Sequence, residues 1–370
     1  MVALSGGVDS AVAAWLLLQQ GFEVECLHMS NWDDDDGYCD AAADLRDARA
    51  ICDRLDVPLH RVSFAREYRE RVFADFLNET RAGRTPNPDV LCNREIKFGV
   101  LRRYARRLGA EHLATGHYAR LGEIGNRPIL LKARDGQKDQ SYFLHAVDAS
   151  DFAGVLFPLG DSSKAEVRGL ARRAGLAVAG KRDSTGICFI GERPFADFLS
   201  RYLTPRPGPI VTEDGTVVGE HRGLHFYTLG QRKGLRIGGI RAATDAAWYV
   251  AEKRPESNEL CVVQGGNHRS LFSDWLSTGP LHFIGPEPAE WRARGSFACQ
   301  VKTRYRQPDQ GCTVIRAGGD SSDVVFDRPQ RAVTPGQYAV FYSGSRCLGG
   351  AQIERAGRGE IAAAIVAEAR

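Results

Sequence analysis

A chain of 370 residues, 43% hydrophobic and 26% charged, has ordinary globular composition and is long enough for two or three domains with separate cores. That excludes a single small module, a disordered chain and a fibrous one. Residues 1–200 hold 27 basic against 29 acidic side chains and residues 201–370 hold 22 against 17, so the C-terminal half is mildly basic, which is weak support for a polyanionic partner.

The chain opens with a strand at Val2 to Leu4, a loop Ser5-Gly6-Gly7-Val8-Asp9-Ser10, a helix through Gln20 stopped by Gly21, and a second strand over Phe22 to Met29. A helix over Asp44 to Leu55, a strand over Leu59 to Ser63, helices over Glu67 to Arg81 and Ile96 to Leu108, and a strand over His112 to Thr115 continue the alternation. This pattern predicts an α/β, doubly wound parallel sheet. After about residue 205 the texture changes: Pro205, Pro207, Gly208 and Pro209 break the chain, and Asp214-Gly215 sits at the centre of a hairpin over Ile210 to Val218. Short runs follow at Phe297 to Lys302, Cys312 to Ile315, Val324 to Phe326 and Gln337 to Tyr342, the spacing of a β-barrel or sandwich. The expected domains are 1–205, a small linking unit 206–275, and a β-domain 276–370. Asp33 to Asp36 reads as a solvated loop.

The longest apolar run, Ala11 to Leu18, covers eight residues, far short of the roughly 20 that cross a bilayer. No basic targeting segment precedes the first loop, so a cytoplasmic protein without membrane association is expected. Nine cysteines with no two closer than thirteen positions exclude any CxxC element, which argues against zinc or an iron–sulfur cluster. In a reducing compartment each thiol is by default a small buried hydrophobe.

Paired glycines and hydroxyls between the first strand and first helix place backbone N–H groups where an anion sits, although a tight turn capped by Ser10 is the simpler reading. GxxxxGK[ST] is absent, so Walker-type phosphoryl transfer is not expected. Four arginines, Arg102, Arg103, Arg106 and Arg107, read as a solvated helix face.

Ser5 to Ser10 resembles the pyrophosphate-binding loop of ATP-dependent adenylating enzymes. Further motifs narrow the resemblance: Asn87-Pro88-Asp89 with Cys92-Asn93 and Ile96-Lys97-Phe98; Thr115-Gly116-His117-Tyr118; Lys138-Asp139-Gln140-Ser141-Tyr142; and Ser184 to Gly191 around Cys188. Together, in this order and across nearly the whole chain, they are similar to the tRNA-specific 2-thiouridylases, which replace O2 of the wobble uridine by sulfur.

The resemblance implies ATP, with Mg²⁺, held by Ala3, Leu4, Ser5, Gly6, Gly7, Val8, Asp9, Ser10, Met29 and Gly116. It implies a persulfide on Cys188 and a catalytic thiol at Cys92, and makes Asp89 a general acid or base, for which helix capping is the simpler alternative. Contacts to tRNA fall on Asn87, Pro88, Asp89, Lys138, Asp139, Gln140, Arg304 and Tyr305. The expected partners are a tRNA with a wobble uridine and a sulfur donor protein; the expected state is a monomer, and the C-terminal domain is expected to be a β-barrel.

Overall fold

The computed structural model describes residues 1–32, 41–183, 195–237 and 246–359. Cys188 with its motif, Cys39 and the Asp33 to Asp36 run lie outside the described residues.

Strands β1 (Val2–Ala3), β2 (Cys26–Ser30), β3 (Leu59–Ser63) and β4 (Leu113–Thr115) are followed by a hairpin, β5 (Ala119–Ile124) and β6 (Arg127–Lys132), and by β7 (Val155–Leu156). Five of them form an entirely parallel sheet in the order β3-β2-β1-β4-β7. The order reverses between β1 and β4, so the C-terminal ends of these two strands border the crevice where open α/β sheets bind ligands. Helix α1 (Val8–Gln19) crosses one face with Ala11, Val12, Ala13 and Ala14 fully buried; small side chains allow its backbone to lie close to the sheet. α2 (Ala41–Leu55) is amphipathic and packs beside it, burying Ala48 and Ile51 in the same core.

Two longer helices cover the other face, residues 65–81 and 88–107, each α-helical at both ends and π-wound in the middle, at Arg69–Phe73 and Cys92–Leu101. The second strand starts at Cys26 rather than Phe22, because Phe22 and Glu23 lie at the surface, outside the sheet. The arginine face is not wholly solvated either: Arg102 is buried and bonds Asp151 at 2.9 Å and the carbonyls of Ser150 and Ala153, whereas Arg103, Arg106 and Arg107 are exposed.

A four-stranded unit follows, β8 (Gly208–Val211), β9 (Val217–His221), β10 (Trp248–Arg254) and β11 (Glu259–Gln264), in the order β10-β11-β8-β9. The Asp214-Gly215 turn joins β8 to β9 with Gly215 at φ +86°, a conformation that favours glycine. The remaining strands are β12 (Phe272–Thr278), β13 (His282–Phe283), β14 (Ser296–Lys302), β15 (Gln310–Arg316), β16 (Ser322–Arg331), β17 (Tyr338–Ser343) and β18 (Arg346–Gly357). The six strands β12-β16-β15-β14-β17-β18 are antiparallel, and β12 pairs back to β18, which closes a barrel around Val301, Val314, Val324, Phe341 and Ile353. The β5–β6 hairpin leaves the α/β half and joins this sheet, with Leu131 opposite Arg346 and Leu130 opposite Cys347. Residues 1–205 therefore are not one closed α/β layer. Leu130, Tyr142 and Leu144 share a buried core with Val340, Tyr342 and Cys347 of the barrel.

Candidate functional site

The loop Ser5 to Ser10 joins β1 to α1, with Gly7 at the N-cap and no side chain capping the helix. Ser10 instead accepts from Ser5 N at 3.2 Å and donates to Gly7 O at 3.1 Å, holding the loop as a tight ring. Gly6 has φ +78°, and a Cβ there would fall 2.4 Å from the Asp44 carbonyl oxygen. A Cβ at Gly116, just past β4, would fall 2.6 Å from Ser10 N; both glycines are sites of close backbone approach. Ala3 and Leu4 lead into the loop and Met29 lies near the end of β2, so the positions the resemblance assigns to nucleotide do gather at the switch point.

Charge surrounds this loop. Asp9 accepts from Tyr118 Oη at 2.9 Å and from Lys164 Nζ at 2.7 and 2.9 Å. Lys164 also pairs with Asp183, which holds Lys138 at 2.5 Å and Arg168 at 3.1 Å. On the other side Lys181 reaches Gly6 O at 3.2 Å, Asp44 at 2.8 Å and Asp47 at 2.6 Å. Burial pushes the Asp183 carboxyl up, but the Lys138 and Lys164 ammonium groups outweigh it and hold the pKa at about 2. Burial and the adjacent Asp9 carboxylate keep the Tyr118 phenol protonated, which suits its role as donor. Lys164, Lys181, Asp44, Asp47 and Asp183 belong to none of the motifs that carry the resemblance; each reads as an ordinary surface residue until the fold brings it to Gly6 and Asp9.

The thiol end is different in kind. Pro88 opens the helix after Asn87, which is extended and makes no side-chain cap. Asp89 lies in the first turn, and Cys92, one turn on, begins the π-wound stretch and is 2% exposed. Cys92 shares an apolar cluster with Leu27, Phe64, Leu91 and Ile96, with Met29 packed at its edge. Burial raises the Asp89 pKa and the Lys97 ammonium partly opposes it. Lys97 also acts on buried His117, whose pKa burial drives well below the usual range, so its ring is neutral and meets Thr115 Oγ1 through Nδ1 at 2.7 Å. Lys97 is the cation of this end, legible in the Ile96-Lys97-Phe98 motif but without a role until its neighbours are known.

One four-residue segment joins the two ends. In Thr115-Gly116-His117-Tyr118, Gly116 lies on Ser10 and Tyr118 bonds Asp9, while the His117 ring packs 5.8 Å from Phe98 on the thiol helix.

The positions assigned to RNA are placed differently from one another. Asp139 is 4% exposed; its carboxylate accepts from Ala133 N, Ser141 N and Ser141 Oγ and pairs with Lys302 of β14 at 3.6 Å, which makes it an internal fastening rather than a surface contact. Gln140 accepts from Tyr118 N and Lys138 is paired with Asp183, so both face the nucleotide loop. The Arg304 guanidinium donates to Leu229 O, Ala332 O and Thr334 Oγ1, tying the central unit to the barrel. Tyr305 is half-buried against Phe143, and the exposed Arg306 lies 5.2 Å over its ring. Among the cysteines given no chemical role, Cys26, Cys52, Cys261, Cys312 and Cys347 are buried and Cys299 is half-buried.

Residues 1–192 match the tRNA methyl transferase HUP domain, 196–264 the tRNA methyl transferase PRC-barrel domain, and 273–353 the aminomethyltransferase beta-barrel domain. The chain is 54% identical over 357 residues to the tRNA-specific 2-thiouridylase MnmA of Hahella chejuensis, covering 96% of each chain. It is 54% identical over 358 residues to the enzyme of the same name from Salmonella choleraesuis and 53% identical over 358 to that of Shigella boydii, again over 96% of each. With a glycine-paired loop at the switch point of its parallel sheet and relatives aligned almost end to end, this chain belongs to the tRNA-specific 2-thiouridylase family.

Proposed function

We propose that the protein exchanges O2 of the wobble uridine of tRNA for sulfur, activating the oxygen with ATP and delivering sulfur through Cys188 and Cys92. The observation that carries this reading is the shared segment 115–118, which brings a phosphate-type loop and a buried thiol helix against one wall.

Uracil O2 is a poor leaving group. In the first step it attacks the α-phosphorus of ATP, pyrophosphate departs with the electron pair of the broken P–O bond, and AMP becomes the leaving group on C2. The loop N–H groups, Lys164 and Lys181 hold the departing pyrophosphate. Around the loop the cations Lys138, Lys164, Arg168 and Lys181 face the four carboxylates Asp9, Asp44, Asp47 and Asp183, so side chains alone leave little charge to neutralise a triphosphate. A phosphate-borne Mg²⁺ would supply that neutralisation. Asp9 and Asp183, the carboxylates paired with Lys164 beside the loop, would be the protein ligands offered to such an ion alongside phosphate and water.

In the second step the Cys92 thiolate attacks Sγ of Cys188, breaking the persulfide bond. The outer sulfur leaves with that electron pair and ends on C2, AMP departs with O2, and the cysteines remain as a disulfide that a thiol reductant restores. Asp89, its pKa raised by burial, serves as the general acid or base of this step, while the Lys97 ammonium favours the thiolate. The target base must leave its stack to reach this helix, and Asn87 and Pro88 border its path. The half-buried Tyr305, with Arg306 over its ring, supplies a stacking face and a phosphate partner for the RNA.

Nucleoside mass spectrometry of tRNA incubated with the protein, ATP and a persulfide source tests the reading. Formation of 2-thiouridine with matched release of AMP and pyrophosphate is expected; pyrophosphate release without thiolation, or thiolation without ATP, overturns it.

A further inference from the structure

Helix 65–81 and helix 88–107 are joined by residues 82–87, and this short connection is held by both the barrel and the central unit. From the barrel, Thr85 N donates to Pro335 O at 2.9 Å, and Gln337 Nε2 donates to Thr85 O at 2.7 Å. Gly336, at φ +91°, fits only because it lacks a Cβ, which would fall 2.8 Å from Thr85 N. From β18, Gln352 Nε2 donates to Glu79 Oε2 at 2.7 Å, and the same carboxylate clasps Arg84. From the central unit, Lys253 Nζ on β10 donates to Gly83 O at 3.2 Å, and Pro255 packs on Gly83.

Lys253 makes no ion pair among the described residues, and burial lowers its pKa to about 8. A half-buried ammonium whose hydrogen bond goes to a peptide carbonyl rather than to a carboxylate gains little for the fold by itself. What lies beyond the contact is the sequence Thr85-Pro86-Asn87-Pro88-Asp89. Each proline fixes its own φ and restricts the residue before it, so the segment is stiff and passes a displacement at Thr85 on to Asp89 and Cys92 rather than absorbing it.

We propose that residues 82–87 form a strut through which the barrel and the central unit set the position of Asp89 and Cys92, with Gln337 and Lys253 as positioning residues. The proposal rests on the reading that Asp89 and Cys92 perform the sulfur chemistry. It gives the barrel and the central unit a physical route to the reacting groups.

Steady-state thiolation by the full-length protein tests it. The double variant Gln337→Ala, Lys253→Met is expected to lower kcat by about 10- to 100-fold, the scale of a misplacement near 1 Å, with the KM for ATP and the Kd for tRNA within about twofold of the parent. Lys253→Arg, which restores a charged donor to Gly83 O, is expected to recover most of the loss. Wild-type kcat in the double variant overturns the proposal, as does a fall in tRNA affinity that accounts for the whole effect. Should Lys253→Met melt below the assay temperature, Gln337→Ala alone, which removes a single hydrogen bond, carries the same test. Asp89→Asn and Cys92→Ser are measured alongside. If they keep turnover the catalytic reading falls; if they lose it while the strut variants keep kcat, the strut alone falls.

Discussion

The two ends of the site face each other across segment 115–118 and are built on opposite electrostatic plans. Around Asp9 every carboxylate named has a cation within hydrogen-bond reach, and the Asp183 pKa is held at about 2. Around Cys92 the neighbours are Leu27, Leu91 and Ile96, and the one carboxyl in the first turn of the helix, Asp89, has its pKa pushed up by burial. On the proposed reading, the phosphate end needs cations that stay in place when the ligand is away, and pairing with aspartates holds these lysines. On the same reading, an activated C2 and a persulfide need the exclusion of water, which the apolar packing around Cys92 would provide. One fold keeps the two requirements apart by placing them on opposite sides of a strand end.

The largest expected effects break the thiol end. Cys188→Ser and Cys92→Ser should each reduce thiolation by more than about 10³-fold, but differently: peptide mass spectrometry after sulfur loading should find persulfide on Cys188 in Cys92→Ser and none in Cys188→Ser. Persulfide confined to Cys92 would reverse their roles. At the charged end Asp9→Ala leaves Lys164 and Tyr118 without their shared acceptor and should cut tRNA-dependent pyrophosphate release by about 10²-fold, while persulfide loading continues; equal damage to both steps would mean the ends are not separate.

The two carboxyls sharpen the comparison through pH. For Asp183 the folded pKa lies below the unfolded value of 3.8, so its stabilising effect is present above about pH 4 and is lost as pH falls towards 2. Asp183→Asn should destabilise the protein at pH 7 by roughly 1–2 kcal/mol. For Asp89 the folded pKa is raised, so the folded state is penalised as pH rises above 3.8 through that pKa, and Asp89→Asn should melt a little higher than the parent at pH 7. Urea melts of both variants across pH would show equal signs if the two ends were alike.

The smallest effect separates two neighbouring arginines. Arg306→Ala should lower the salt slope of tRNA binding by about one unit, as loss of one phosphate contact does. Arg304→Ala, whose guanidinium is engaged by Leu229, Ala332 and Thr334, should leave that slope unchanged and cost about 2 kcal/mol of stability. A reduced slope for Arg304→Ala would return it to the RNA surface.

How much of this was legible in the sequence depended on range. The place of the loop Ser5 to Ser10 between a strand and a helix could be read because strand, paired glycines and helix are contiguous. The parallel alternation could be read for the same reason. The cations at Lys164 and Lys181 could not, since their partners Asp9 and Asp47 lie more than a hundred positions earlier and nothing local distinguishes them from solvated lysines. Arg102 was misread because helical spacing identifies a face but not what covers it, and Asp151 covers it. Asp139 and Arg304 lie in motifs that suggested contact with RNA, yet their polar atoms are engaged inside the protein.

The pairing of β6 with β18 has a consequence for how the protein is made. Leu130, Leu131 and Lys132 emerge from the ribosome long before Ser345, Arg346 and Cys347 exist, so the hairpin must wait with its outer edge unpaired while more than half the chain is synthesised. An open apolar edge is a template for wrong partners. Chains that stop near residue 205 never receive the missing strand, and they should aggregate through β6 although the parallel sheet beside it is complete. The last strand of the barrel thus acts late as a cap on the first half of the molecule, and premature termination is costly out of proportion to the residues lost.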